Sequence, residues 1–185
     1  MSNKIVSLST FKHQLHLTFV AKCKYLMWLV ISNIIFLTNI PYPNFIKVYL
    51  LRIMGAKIGH SCIIKPWVKI KLPWKLTLGD NVWLGESAWI DNISNVVIGS
   101  NVCISQNALL LTGNHDYTSS SFDLNSKPIV IEDGAWVCAN VTITGGVTIK
   151  SHSVVGVGLI ISKDTNPYEV YSVNASSSIK KRVIR

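Results

Sequence analysis

From Ile58 onward, an aliphatic residue recurs at every sixth position along most of the chain. The first nine positions form three blocks of three: Ile58, Ile64, Ile70, Leu78, Leu84, Ile90, Ile98, Ile104 and Leu110. After a break, six more follow without interruption: Ile131, Val137, Ile143, Ile149, Val155 and Ile161. The fifth place of each hexad is usually small or β-branched, as at Cys62, Val82 and Ala108. A fixed period of this kind indicates a repeat architecture in which each unit stacks on the next.

Six residues are enough for one short strand and one turn, and three such units close a triangular coil. The aliphatic residue and its smaller partner then point inward and stack on their equivalents in the neighbouring coils, which buries a continuous column. Fifteen hexads at three per coil therefore predict an all-β fold, a parallel β-helix of about five coils.

The repeat is interrupted once, because 21 positions separate Leu110 from Ile131 where the period requires 6. One extruded loop, at about 111–130, must leave the coil there. A neutral imidazole is suited to remove a proton from a reacting group near pH 7. The loop contains His115 between Asn114 and Asp116, so His115 is the candidate general base. Asp116 is expected either to orient His115 or to cap the loop.

Residues 10–40 are rich in Leu, Phe and Ile without strand alternation, and Pro41 and Pro43 end the stretch. This pattern predicts one or two helices. The apolar run at 25–37 is shorter than the roughly 20 residues of a membrane-spanning helix. The chain therefore divides into a helical N-terminal arm and link at 1–54, a β-helix domain at 55–166 and a basic C-terminal tail at 167–185.

Two interpretations of the arm are open. In the first, the arm covers the open end of the prism or binds neighbouring subunits, as terminal units of a repeat must be capped. In the second, the arm lies on the inner membrane, with Lys22, Lys24 and Lys47 facing anionic lipid.

Composition excludes a disordered chain, because 49% of the residues are hydrophobic and only 15% are charged. Apolar surface in excess of what one subunit covers predicts an oligomer or a membrane-facing patch. The net charge is +9, and residues 1–79 carry 11 basic and no acidic residues. Such a basic half favours an anionic membrane or a phosphorylated ligand, and the chain lacks the signatures of nucleic-acid-binding modules.

Cysteine and histidine spacing indicates no metal site. The four cysteines form no CxxC pair, and we interpret Cys103 and Cys138 as packing residues. A metal site on the prism would need three convergent histidines, but His60, His115 and His152 lie in distant blocks. Because no signal-peptide pattern precedes the repeat, a cytoplasmic location is expected.

Several stretches resemble the hexapeptide-repeat acyltransferases, in particular the acetyltransferases of the colanic acid type. These stretches read LLRIMGAKIG at 50–59, LPWKLTLGDNVWLGE at 72–86, WIDNISNVVIGSNV at 89–102 and ISQNALLLTGNHDY at 104–117. The related branches include the maltose, galactoside and serine O-acetyltransferases. The resemblance implies a left-handed β-helix, a homotrimer with active sites between subunits, and acetyl-coenzyme A as the acyl donor. His115 falls on the family's catalytic histidine, and Asp91 on an acceptor-site aspartate of the maltose and galactoside relatives. The alternative is that Asp91 only fills the turn position after Ile90. Asn114 and Asp116, which flank His115, are candidates for acceptor binding or support.

The same resemblance implies the coenzyme contacts. Trp136 would line the thioester end, and Ala139 would sit beside the scissile carbonyl. Residues expected farther along the coenzyme are Val157, Ser162, Lys163 and, near the 3′-phosphate, Arg182. The chain departs from the family pattern at 156–159 and 173–177, where it reads GVGL and VNASS.

The resemblance therefore predicts O-acetylation of a sugar hydroxyl in exopolysaccharide, capsule or O-antigen biosynthesis. The acceptor would be a sugar or a lipid-linked saccharide. One alternative is an N-acyltransferase acting on an amino sugar nucleotide. A more distant alternative is a non-catalytic β-helix scaffold, motivated by the departures in the last coils.

Overall fold

The computed structural model describes residues 7–11, 18–172 and the backbone of 180–181. Arg182 lies outside the described residues. The helices are α1 (Phe19–Ile31), which continues into a π-helical turn (Ser32–Phe36), and α2 (Asn44–Ile53); short 3-10 turns occur at Leu8–Thr10 and Pro73–Lys75. The strands are β1 (Lys57–Ile58), β2 (Ile63–Ile64), β3 (Lys69–Ile70), β4 (Leu76–Leu78), β5 (Trp83–Leu84), β6 (Trp89–Asp91), β7 (Val96–Ile98), β8 (Cys103–Ile104), β9 (Leu109–Leu111), β10 (Gly113–His115), β11 (Leu124–Ser126), β12 (Ile129–Ile131), β13 (Trp136–Val137), β14 (Thr142–Thr144), β15 (Thr148–Ile149), β16 (Val154–Val155), β17 (Ile160–Ile161), β18 (Glu169–Tyr171) and β19 (Lys180–Lys181).

Three parallel sheets form the faces of a solenoid. Face A is β1-β4-β7-β12-β15, face B is β2-β5-β8-β13-β16-β18, and face C is β3-β6-β9-β14-β17. The fifteen strands of the first five coils coincide with the fifteen hexads, which confirms the predicted fold class. The tail strand β19 pairs antiparallel with β18 at the edge of face B.

The solenoid has about six turns rather than the expected five, because the chain continues past Ile161 into a further layer. Thr165 donates its backbone N–H to Thr148, and β18 pairs with β16. The side chain of Thr165 is buried and bonds the Ser153 hydroxyl at 3.1 Å. Because Thr165 is polar, the aliphatic six-residue period does not extend to this inward position.

The core consists of three columns of hexad residues, one behind each face. The middle column runs in strand register through Ile64, Leu84, Ile104, Val137 and Val155. Of the fifteen hexad residues, all are buried except Ile58 and Ile161, which lie in the first and fifth coils and are partly buried. Because each side chain is covered by the layers above and below it, only the ends of the columns need another cover.

The helical arm covers the open edge of the first coil. Asn44 donates to the Cys62 carbonyl at 2.6 Å and accepts the Ile64 N–H at 2.8 Å. Lys47 donates to the Ile64 carbonyl at 3.1 Å, and burial, followed by the nearby positive charge of Lys65, lowers the pKa of Lys47.

Two further side chains complete this cap. Arg52 donates to the carbonyls of Ile58 and Gly59, with the shorter bonds at 2.9 Å. The Trp28 indole N–H donates to the Ile70 carbonyl at 2.7 Å, and its ring packs edge-on against Phe36. Each strand of the first coil thus has backbone groups satisfied by the arm, which a terminal repeat requires.

The π-helical turn prolongs α1 into one helix over Phe19–Phe36, with a mean hydropathy of 1.5. By length and composition this helix could cross a membrane, and it is longer than the apolar run at 25–37 indicates. Its midpoint, however, is fixed to the first coil by Trp28. The helix therefore lies along the end of the prism.

Candidate functional site

The interruption of the repeat is a β-hairpin. Strands β10 and β11 pair antiparallel, with His115 opposite Leu124. At the tip, the Asp116 carboxylate accepts the backbone N–H of Thr118 at 2.9 Å and its hydroxyl at 2.6 Å. These two bonds, the side-chain bond first, hold the pKa of the Asp116 carboxyl below its ordinary value. Asp116 therefore caps the tip of the hairpin.

The imidazole of His115 is held by one residue of the hairpin in two ways. Its Nδ1 lies 2.8 Å from the carbonyl oxygen of Phe122, and its ring stacks on the Phe122 ring at 4.2 Å between centroids. A carbonyl oxygen can only accept a hydrogen bond, so Nδ1 carries the proton. In the neutral ring Nε2 then has a free lone pair, which is the form that a general base requires.

The N-terminal segment also contacts this hairpin. Ser7 donates its backbone N–H to the Ser120 carbonyl at 3.0 Å. The Phe11 ring meets the His115 ring edge-on, with 5.6 Å between centroids. The catalytic candidate is therefore flanked by two aromatic rings, a feature that the hexad pattern could not indicate because it depends on tertiary packing.

A cleft of about 390 Å³ opens between the hairpin and face C. Its lining residues include Asn114, Asn125, Lys127, Gly145 and Ser162. The cleft thus brings together two of the residues singled out in the sequence and adds a cation, Lys127, that was not. A Cβ on Gly145 would stand 2.7 Å from the Thr112 carbonyl oxygen, so only glycine permits this close approach. The Asn114 side chain also accepts the backbone N–H of His115 at 2.8 Å.

Asp91 lies in a different cleft, of about 220 Å³, between α1 and the prism. Its side chain is almost fully buried and pairs with Lys71 at 2.8 Å. Trp89 lines the same cleft, and the ammonium group of Lys69 lies 5.6 Å from the centroid of its ring. The carboxylate and the two ammonium groups can hydrogen-bond to the hydroxyl groups of a sugar, and the Trp89 ring can stack against the sugar ring.

The expected coenzyme contacts fall on two faces. Trp136 projects from face B, donates its indole N–H to the Ser105 hydroxyl at 2.9 Å, and lines a groove of about 450 Å³. The carbonyl of Ala139 accepts the Gly158 N–H at 3.0 Å, which places Ala139 beside the exposed Val157. Ser162 and Lys163 are exposed just after β17 on face C.

Two of the thiols are buried in the prism. Burial raises the pKa of the Cys62 and Cys138 thiols, so neither is disposed to act as a nucleophile near neutral pH. Within the described part of the chain, no group of three or more His, Cys, Asp or Glu side chains could hold a metal ion.

Comparisons with known proteins place the chain among acetyltransferases. No family model matches the chain. The colanic acid biosynthesis acetyltransferase WcaF of Escherichia coli (strain K12) is 37% identical over 137 residues, which are 74% of this chain and 75% of WcaF. The galactoside O-acetyltransferase of the same organism is 32% identical over 139 residues, 74% of this chain and 66% of that protein.

The solved structures agree with this relationship at the level of the fold. A hexapeptide-repeat acetyltransferase of Vibrio cholerae O1 biovar eltor, complexed with acetyl-coenzyme A, superposes with a TM-score of 0.77. The two chains are 22% identical, and the match covers 86% of this chain and 87% of the other.

Proposed function

The chain belongs to the hexapeptide-repeat acetyltransferases, and on that premise we propose that it transfers an acetyl group from acetyl-coenzyme A to a sugar hydroxyl. It is an acyl-coenzyme A-dependent enzyme of polysaccharide biosynthesis. The proposal adds that His115 is its general base, that Asp91 contacts the acceptor, and that the protein works on the cytoplasmic side of the membrane, where the donor is available.

The observation that carries the proposal is the contact between His115 Nδ1 and the Phe122 carbonyl oxygen at 2.8 Å. Because this contact fixes the proton on Nδ1, Nε2 can accept the proton of a sugar hydroxyl as its oxygen attacks the thioester carbonyl. The imidazolium keeps the Nδ1 bond, and its new proton on Nε2 can pass to the departing thiolate. No covalent enzyme intermediate is required, since the transfer is direct.

The non-catalytic alternative is less well supported by this arrangement. A scaffold has no need of a histidine that is stacked on one ring, flanked by another and fixed in a single tautomer. Preorganised side chains of this kind are typical of catalytic sites.

The donor is proposed to lie along the last coils, held by Trp136, Ala139, Val157, Ser162 and Lys163, with Arg182 near its 3′-phosphate. Lys163 is exposed and able to form charge-assisted bonds to phosphate oxygens. Lys127, in the cleft with Ser162, is a second cation for the same purpose. A backbone N–H near Ala139 would serve the oxyanion.

We propose further that the enzyme is a homotrimer with its active sites between subunits. On one chain the expected donor contacts are divided between faces B and C. Val157, itself an expected donor contact, and the nearby Ile160 have side chains that are 58% and 73% exposed. A neighbouring subunit would cover this apolar surface and bring its own hairpin to the donor.

Mixed trimers test the shared site. Two variants, His115→Ala and Trp136→Ala, are each expected to be strongly impaired alone. Co-expressed, they are expected to recover activity, because a mixed interface can combine an intact His115 with an intact Trp136. If mixtures remain as impaired as the separate variants, each site lies within one subunit.

The acceptor is proposed to be a sugar of an exopolysaccharide, capsule or O-antigen, carried on a lipid, which would keep the enzyme at the inner face of the membrane. The test is acetyl-coenzyme A-dependent release of free thiol in the presence of a panel of monosaccharides, nucleotide sugars and lipid-linked saccharides. Stable O-acetyl product from a sugar hydroxyl is expected. N-acetylation of an amino sugar nucleotide alone would contradict the proposal.

A further inference from the structure

The outer side of α1 is an apolar strip turned away from the prism. Five side chains of α1 and one of the π-helical turn are between 51% and 81% exposed: Phe19, Val20, Leu26, Met27, Val30 and Ile34. At about 100° per residue these positions share one side of the helix. Trp28, on the opposite side, is buried against the first coil. Lys22 is exposed at the border of the strip.

Helix α2 repeats this arrangement. Phe45, Tyr49 and Ile53 follow at i, i+4 and i+8 and are 55–71% exposed. Lys47 and Leu51, on the other side of α2, are buried against the first coil. We call the nine exposed side chains of α1, the π-helical turn and α2 the outer cap face. Since both helices cover the same end of the prism with their inner sides, this face looks outward from that end.

An exposed apolar surface of this extent is unusual for a soluble domain and marks an interaction site. The charges around it identify the partner. Residues 1–79 contain no acidic residue, and Lys57, Lys65 and Lys69 are exposed on the first coil that the cap covers. A second copy of the chain in the same position would bring an equally basic region against this one, which like-charge repulsion disfavours.

We infer that the outer cap face docks on an anionic lipid bilayer, with α1 and α2 lying parallel to the membrane plane. The apolar side chains enter the boundary between headgroups and acyl chains, and the lysines pair with anionic headgroups. The fixed midpoint of α1 at Trp28 keeps the helix from crossing the bilayer. The prism therefore stands away from the membrane on its capped end.

The biological purpose of this docking rests on the proposed function, because docking would bring the acceptor cleft to a membrane-bound substrate. The cleft that contains Asp91 and Lys71 opens beneath α1, so docking brings it close to the headgroup level. A saccharide attached to a membrane lipid would present its sugar at that height. Membrane binding itself depends only on the outer cap face and is measurable without an acceptor.

Sedimentation of the full-length protein with vesicles tests the inference. We expect binding to vesicles that contain about 30% phosphatidylglycerol. Binding should be lost with pure phosphatidylcholine vesicles or in about 0.5 M salt. The double variant Leu26→Glu/Val30→Glu should reduce the partition coefficient by about tenfold or more. Val97→Glu, the same kind of change at an exposed apolar position on face A, should leave binding unchanged.

Three results would overturn the inference. The wild type could remain in the supernatant at every lipid composition, or Val97→Glu could reduce binding as much as the double variant does. The double variant could instead lower the mass of the oligomer in solution while vesicle binding persists, which would make the face an interface between copies. Acetylation of a soluble sugar, measured in parallel, separates a failure of docking from a failure of the proposed chemistry.

Discussion

The contact between Trp28 and the first coil offers a direct test of how the arm stabilises the solenoid. Trp28→Phe removes the indole N–H that bonds the Ile70 carbonyl at 2.7 Å and keeps an aromatic ring against Phe36. The side chain is 1% exposed, so water cannot readily replace the lost donor. Leaving a buried acceptor unpaired costs about 1–3 kcal/mol of folding free energy.

The free energy of unfolding, measured by urea denaturation at a fixed protein concentration, should fall by about this amount. The midpoint of thermal unfolding should fall by about 2–4 °C for each kcal/mol lost. Trp83→Phe is the matched control, because Trp83 is 54% exposed on face B, and it should change the stability by no more than about 0.5 kcal/mol. Equal effects of the two variants would refute the idea that the arm satisfies the edge of the first coil.

Three further predictions concern the core, the hairpin and the thiols. Ile104→Ala, at a fully buried position in the middle column, should lower the free energy of unfolding in urea by about 2–5 kcal/mol. Because the pKa of Asp116 is lowered, its contribution to hairpin stability is complete above the ordinary value of 3.8 and is lost as the pH falls through the lower folded value. Amide exchange of Thr118, followed from about pH 5 to about pH 2, should show this loss. Cys138, with its raised pKa, should react with iodoacetamide more slowly than the exposed Cys23 at pH 8, a pH near the ordinary thiol pKa of about 8.5.

The solenoid could be predicted from the sequence because its core imposes one demand on every coil. Positions such as Leu84, Ile104 and Val137 are stacked in register, so each must be aliphatic. The sixth turn was not predicted, because its inward position is occupied by Thr165, whose hydroxyl is hydrogen-bonded to Ser153 inside the prism. The period detects apolar stacking and is insensitive to hydrogen-bonded replacements.

The site could be predicted only in part. His115 was identified by its place in the interruption of the repeat, but the hairpin strands read GNH and LNS and carry no hydrophobic alternation. The Phe122 carbonyl reaches His115 from a residue with a positive φ of 53°, which is uncommon for a residue with a side chain. A sequence gives no signal for that conformation, nor for the edge contact with Phe11.

The role of His115 as the base in acetyl transfer is tested by the turnover of His115→Ala together with its affinity for acetyl-coenzyme A. We expect kcat to fall by about 10²- to 10⁴-fold, while the donor affinity, measured by calorimetry, stays essentially unchanged. His60→Ala, at an exposed histidine on the first coil, should retain full activity. Wild-type turnover in His115→Ala, with the donor still bound, would contradict the account.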